Sequence, residues 1–197
     1  MRNLHEAMRV LSVNLGKAAQ MLVGGQPTRS AIGKRPSLAT VPLSALGLAG
    51  DEQADLSVHG GVAKAVYAYP SEHFGFWQTV RAQARAADWD TPVPAGLLGE
   101  NLTLQGLTED RLWIGDLLHL PDAVLAVSEP RLPCAKFCAV MGFAQAARMM
   151  SQSGYCGTYL GVVRPGHVRA GDVIRLEPGP REVNLRELFM ARMGRAR

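Results

Sequence analysis

Short apolar runs broken by turn residues fill the first two thirds of the chain. Residues 8–13 form a strand candidate that Gly16-Lys17 interrupts. Gly24-Gly25-Gln26-Pro27 reads as a turn or loop. Residues 38–43 alternate weakly and predict a second strand. Residues 64–69 predict a third, since valine and tyrosine suit a pleated surface, and Pro70 ends it. Ser71 then predicts the cap of a helix running through Phe74, Trp77 and Val80 to about Ala87. Residues 88–94 read as a loop and 101–104 as a short strand.

Two later segments resemble each other: 114–120 and 170–176 both launch an apolar strand from a Gly-Asp turn. Between them lie an apolar run at 123–127, a predicted helix over 137–152 ending near Gly154, and a strand over 155–163. The turn Arg164-Pro165-Gly166-His167 follows that strand. After Pro178-Gly179-Pro180, residues 183–197 predict an amphipathic helix with Leu185, Leu188 and Phe189 on one face. Many short strands separated by turns predict a mostly β fold, barrel or sandwich, with flanking α-helices.

Composition narrows this picture. The 197 residues, 47% hydrophobic and 19% charged, predict one domain with a sizeable core, or one domain with a small appendage. The net charge of +4 is mild. Apart from Arg192, Arg195 and Arg197 the cations are dispersed, with no basic stripe interleaved with aromatics, so direct nucleic-acid binding is not expected. No run approaches a membrane span and no apolar segment of a secretory leader follows the N-terminus. The three cysteines, Cys134, Cys138 and Cys156, are too few and too odd in number for a disulfide framework and suit a reducing cytoplasm. Cys134 and Cys138 have the spacing of one helical turn, but no second Cys/His pair completes a zinc site.

Three clusters carry candidate chemistry. Cys134 lies in Ser128-Glu129-Pro130-Arg131-Leu132-Pro133-Cys134-Ala135-Lys136, where prolines interrupt a regular strand and two cations favour thiolate over thiol. A buried structural cysteine is the alternative. The second cluster runs from Gly47 through Gly50-Asp51 and Asp55 to His59-Gly60-Gly61 and Lys64. Its glycines allow close backbone approach and an anion-binding nest; Lys64 meets a phosphate, or pairs with Asp51 or Asp55. The third is Gly99-Glu100-Asn101, whose polar groups cap a turn or hydrogen-bond a ligand.

In this order the blocks Gly50-Asp51, His59-Gly60-Gly61 with Lys64, Tyr69-Pro70, Gly99-Glu100-Asn101-Leu102 and Pro130-Arg131-Pro133-Cys134-Lys136 resemble the MOSC domain, the C-terminal domain of molybdenum cofactor sulfurase. The likeness spans about residues 30–177 and is closest to the stand-alone bacterial YiiM-type branch. It implies a β-barrel-like domain over 1–180 and a C-terminal helix over 181–197, short of the three-helix extension found in that branch. It also implies binding of molybdenum cofactor (molybdopterin) and reduction of N-hydroxylated compounds such as hydroxylaminopurines and amidoximes. By position, Cys134 matches the family cysteine proposed to ligate molybdenum, and His59 its glycine-flanked histidine. Ser30 falls where related chains often carry Thr or Ser.

On that basis Cys134, His59 and Ser30 are the candidate catalytic residues. Arg131, Lys64, Gly60, Gly61, Asn101 and Lys136 are candidates for holding the cofactor. An external electron-donor protein is expected, because the chain carries neither a Rossmann glycine fingerprint nor an Fe–S cysteine set. The alternative is a non-catalytic carrier of cofactor or sulfur. The apolar face of the C-terminal helix fits a homodimer or a monomer's surface equally, and residues 80–94 are long enough to reshape the pocket mouth.

Overall fold

The structure, a computed structural model, describes residues 7–54 and 61–195. The chain runs β1 (Arg9–Leu15), β2 (Ala19–Val23), β3 (Gln26–Ser30), β4 (Arg35–Ser37), β5 (Val41–Ser44), β6 (Gly47–Leu48), β7 (Val66–Pro70), α1 (Phe74–Gln83) and β8 (Leu102–Gln105). It continues with β9 (Leu117–His119), β10 (Val124–Pro130), α2 (Ala135–Met141), α3 (Ala146–Ser153), β11 (Thr158–Arg164), β12 (Gly166–Val168), β13 (Arg175–Glu177) and α4 (Leu185–Arg195).

Eight strands form one sheet in the order β13-β9-β10-β11-β7-β8-β1-β4. Only the β7–β8 pair in it is parallel. Strands β12-β5-β6 form a second sheet, and β2-β3 a hairpin. The mostly β expectation with flanking helices holds. The expected barrel does not form as a closed ladder among the described residues, because the outer strands β4 and β13 are not neighbours. A shorter stitch joins β1 to the segment before β13: Val10 N donates to Asp172 O at 2.9 Å and Ile174 N to Met8 O at 2.7 Å.

Strand β7 organises the interior because both of its faces are buried. Val66 and Ala68 point into one apolar cluster with Val10, Leu104, Leu125 and Leu160. Tyr67 and Tyr69 point into a second with Trp77, Phe137, Met141, Met150 and Phe189, where the helices pack. This is the period of two expected of a strand, used here to build two cores from one element.

Several sequence expectations shift. The predicted helix over 137–152 is two helices, because Gly142 takes a left-handed conformation and caps α2. The helix expected from Ser71 begins as a short 3-10 turn, Ser71–His73, before α1, and Ser71 gives no capping hydrogen bond. Of the strand expected over 38–43 only 41–43 is strand, as part of β5, and Leu38 is fully exposed between β4 and β5. The turn at Gly24-Gly25 joins the unpredicted hairpin β2–β3. Strand β10 runs to Pro130, which still aligns with Thr158, and stops there, as the prolines predict. The two Gly-Asp look-alikes share one device. Asp116 Oδ2 accepts from Trp113 N at 2.9 Å, and Asp172 Oδ2 accepts from Arg169 N at 3.0 Å.

Gly157, just before β11, packs its backbone tightly against β7. Its φ is +67°, and a Cβ there would lie 2.6 Å from Ala68 O and 2.8 Å from both Tyr67 Cε2 and Tyr69 Cδ2. Gly157→Ala is expected to cost about 2–4 kcal/mol through combined strain and overpacking. Urea unfolding checks this: the midpoint should fall with the slope unchanged.

Candidate functional site: a cleft around Cys134

Strand β10 delivers the cleft's thiol. Beyond Pro130 the chain leaves the sheet, and Cys134 takes an extended conformation (φ −144°, ψ 168°) immediately before α2. The side chain is half-buried. Facing it are Ser30 at the end of β3 with Ala31, Ile32 and Lys34, the segment 51–54, Lys64 of the 3-10 turn Val62–Lys64, and Gly99 and Asn101 ahead of β8. Together they line an open cleft whose empty space, counting the part open to solvent, is about 650 Å³.

Six of the nine candidate catalytic and cofactor-holding residues line this one cleft, Ser30, Lys64, Asn101, Arg131, Cys134 and Lys136, and so do Asp51 and Gly99 of the second and third clusters. Gly61 precedes the Lys64 turn and accepts from Lys64 N at 3.0 Å without lining the cleft. His59 and Gly60 lie outside the described residues. Ser30 Oγ accepts from Ile32 N at 3.2 Å, which fixes its lone pair locally and leaves its proton for another partner.

Asp51 is the hub of the opposite wall. Lys34 Nζ donates to both of its oxygens, at 2.5 and 2.6 Å, and Gly16 N donates to Oδ1 at 2.7 Å. Asn101 Nδ2 donates to Oδ2 at 2.8 Å. Asp51 therefore pairs with Lys34, and Lys64 Nζ lies 3.7 Å from Glu129; Asp55, the other partner expected for Lys64, lies outside the described residues. Asn101 is heavily committed. Its Nδ2 also donates to Asn14 O at 3.3 Å, and its Oδ1 accepts from Tyr67 N at 3.1 Å. Its amide thus positions Asp51, with little donor capacity left for a ligand.

Burial pulls the Lys34 ammonium below its ordinary value while the Asp51 carboxylate works against that. Lys34 and Tyr159, both cleft-lining, were not singled out from the sequence. Lys34 follows Gly33 in the Thr28–Lys34 stretch, a visible signal, but its long-range partner has no local signature.

Arg131 forms the cleft's floor. It is 3% exposed, donates from Nη1 to Leu98 O at 3.0 Å, and lies over the rings of Tyr67 at 5.0 Å and Phe137 at 4.9 Å. Burial opposes its charge, but Tyr67, Tyr159 and Cys134 more than offset this and raise its affinity for the proton. Burial likewise pushes up the phenol of Tyr159, with Arg131 opposing, so Tyr159 keeps its proton. Behind the floor, Glu100 is fully buried. Its Oε1 accepts from Gly96 N at 2.7 Å and from Thr103 Oγ1 at 3.0 Å, whereas Oε2 has no hydrogen-bond partner among the described residues. Burial raises its carboxyl to about 7, against the pull of those donors and Arg131.

Fold and cleft define the class: a mostly β domain that presents one half-buried thiol among cations. Residues 55–175 match the MOSC domain family, and the chain belongs to that family. It is 39% identical over 171 residues to YflK of Bacillus subtilis, covering 87% of this chain and 74% of that protein. It is 36% identical over 163 residues to YiiM of Escherichia coli, covering 83% and 70%. A protein of Gibberella moniliformis named as a reductase is 35% identical over 176 residues, 87% of this chain but 29% of that longer protein. The crystal structure of YiiM from Geobacillus stearothermophilus superposes with a TM-score of 0.75 at 28% identity, covering 95% of this chain and 85% of that one.

Glu100 makes stability depend on pH in a definite direction. Its carboxyl in the folded chain sits near 7, above the ordinary 4.5, so folding favours the protonated form. That stability is fully present below about pH 4.5 and is lost as pH rises toward and through 7, a difference on the order of 3 kcal/mol. Glu100→Gln should flatten the curve in this window. Denaturant midpoints measured from pH 4.5 to 8 check it, and equal slopes in the two proteins would refute the assignment.

Proposed function

We propose that this chain binds molybdenum cofactor in the Cys134 cleft and reduces N-hydroxylated compounds there. The observation that carries the reading is a single thiol facing an open cleft whose walls supply Arg131, Lys64 and Lys136. The donor set fits such a group. Among the described residues no three His, Cys, Asp or Glu side chains cluster to hold a metal ion. A metal bound by protein alone finds no cage, whereas one arriving with its own dithiolene sulfurs needs one soft protein ligand and cations for its anionic parts. The similarity to YiiM and to a protein named as a reductase supports the oxidoreductase class.

In this reading Cys134 holds the metal, and Arg131, Lys64 and Lys136 hold the anionic groups. The bound cofactor supplies the redox chemistry, as cofactors generally do. Arg131, kept charged by its surroundings, anchors the floor. The Ser30 hydroxyl, its oxygen fixed by Ile32 N, orients the substrate. His59, on sequence grounds, donates a proton to the departing oxygen as the N–O bond breaks. Reducing an N-hydroxyl group to an amine and water takes two electrons and two protons, and we assign the electrons to an external donor protein. A cytoplasmic setting keeps the thiol reduced.

The test is assay of cofactor-loaded protein with an N-hydroxylated purine and an artificial electron donor. Wild type should turn over, Cys134→Ser should lose turnover, and His59→Asn should lose about 10²–10⁴-fold. Cofactor retained by wild type without turnover would make the chain a carrier. Unchanged activity in Cys134→Ser would defeat the assignment.

A further inference from the structure

Glu129 sits next to the end of β10 with its carboxylate between two cations from different parts of the fold. Its Oε2 accepts from Arg192 Nη1 of α4 at 3.2 Å, and its Oε1 lies 3.7 Å from Lys64 Nζ at the cleft wall. The side chains are 25%, 38% and 28% exposed for Glu129, Arg192 and Lys64, so water screens both pairs only in part. The backbone that carries Lys64 is fixed from the same strand: Ser128 Oγ lies 2.5 Å from Ala63 O and 2.9 Å from Tyr159 O, with its one proton serving either. Lys64 also lies 5.7 Å over the ring of Tyr159.

We infer that Glu129 is a positioning residue that divides its charge between α4 and the cleft, so that Arg192 sets how strongly Lys64 attracts an anion bound beside Cys134. The inference deepens the proposed function and rests on the cleft receiving an anionic ligand. A carboxylate held by Arg192 neutralises Lys64 less. When Arg192 is removed or drawn away by a partner on α4, the same carboxylate turns fully to Lys64 and the cleft becomes less attractive to anions. The C-terminal helix, which contributes no residue to the cleft lining, thereby acts on it through one side chain.

The experiment uses the reduced full chain without cofactor, and its readout is alkylation of Cys134 by iodoacetate and by iodoacetamide, measured by peptide mass spectrometry at low salt. Both reagents form the same S–C bond from the thiolate and expel iodide. Their rate ratio therefore cancels the thiol's own reactivity and reports the potential an anion meets. Glu129→Gln should raise the iodoacetate-to-iodoacetamide ratio about 1.5- to 5-fold, the range of partly exposed charge pairs. Arg192→Gln should lower it by a similar factor, and in the Glu129→Gln background Arg192→Gln should have no further effect. All differences should shrink at about 0.5 M salt. A ratio unmoved by Arg192→Gln, an equal drop in the Glu129→Gln background, or no labelling of Cys134 in any variant would overturn the inference. Failure of N-hydroxyl reduction leaves this ratio unaffected, so the two claims fail separately.

Discussion

The cleft's shape depends on one buried carboxylate. Asp51 gathers the backbone of Gly16 after β1, the ammonium of Lys34 ahead of β4, and the amide of Asn101 ahead of β8. These segments are far apart in sequence; the β1–β4 and β1–β8 ladders bring them close, and Asp51 ties their polar ends together. With both Lys34 and Asp51 side chains under a tenth exposed, neither charge can be left alone. Breaking such a pair by removing one partner typically costs about 3–5 kcal/mol, even where the intact pair contributes little net stability. The pair's value here is positional: it holds one wall at a fixed distance from the thiol on the other.

The opposite wall relies on a different strategy. Arg131 is buried among aromatic rings and a carbonyl instead of opposite a carboxylate in direct contact. Its charge is therefore not cancelled locally, and the cleft retains positive character at its floor. Glu100 lies behind it with one oxygen unpartnered, and its titration near neutrality links the charge under the floor to pH. One wall is neutralised and rigid; the other is cationic and carries the thiol. That asymmetry suits a ligand with an anionic part and a soft metal centre.

Much of this was legible in the sequence. The Gly-Asp turns, the valine-tyrosine strand and the C-terminal helix with Leu185 and Phe189 toward the core all follow from local patterning. Six candidate residues converge on one cleft, because a block pattern spread over the chain carries three-dimensional information that no single block holds. The misreadings have local causes. Gly142 splits a helix whose apolar period continues across it, and β3 of the β2–β3 hairpin is too polar to register as a strand. Pairing was the least legible feature: Lys34 with Asp51 and Lys64 with Glu129 are long-range choices among chemically equivalent partners. Asn101 was found as a residue, but the commitment of its amide to the fold is visible only in three dimensions.

The central claim is that Cys134 is the protein's ligand to molybdenum. X-ray absorption at the metal edge of cofactor-loaded protein tests it most directly, because it counts sulfur scatterers whether or not the sample turns over substrate. Wild type should show one more sulfur neighbour than Cys134→Ser at matched cofactor loading. An identical sulfur count in the two proteins would contradict the account.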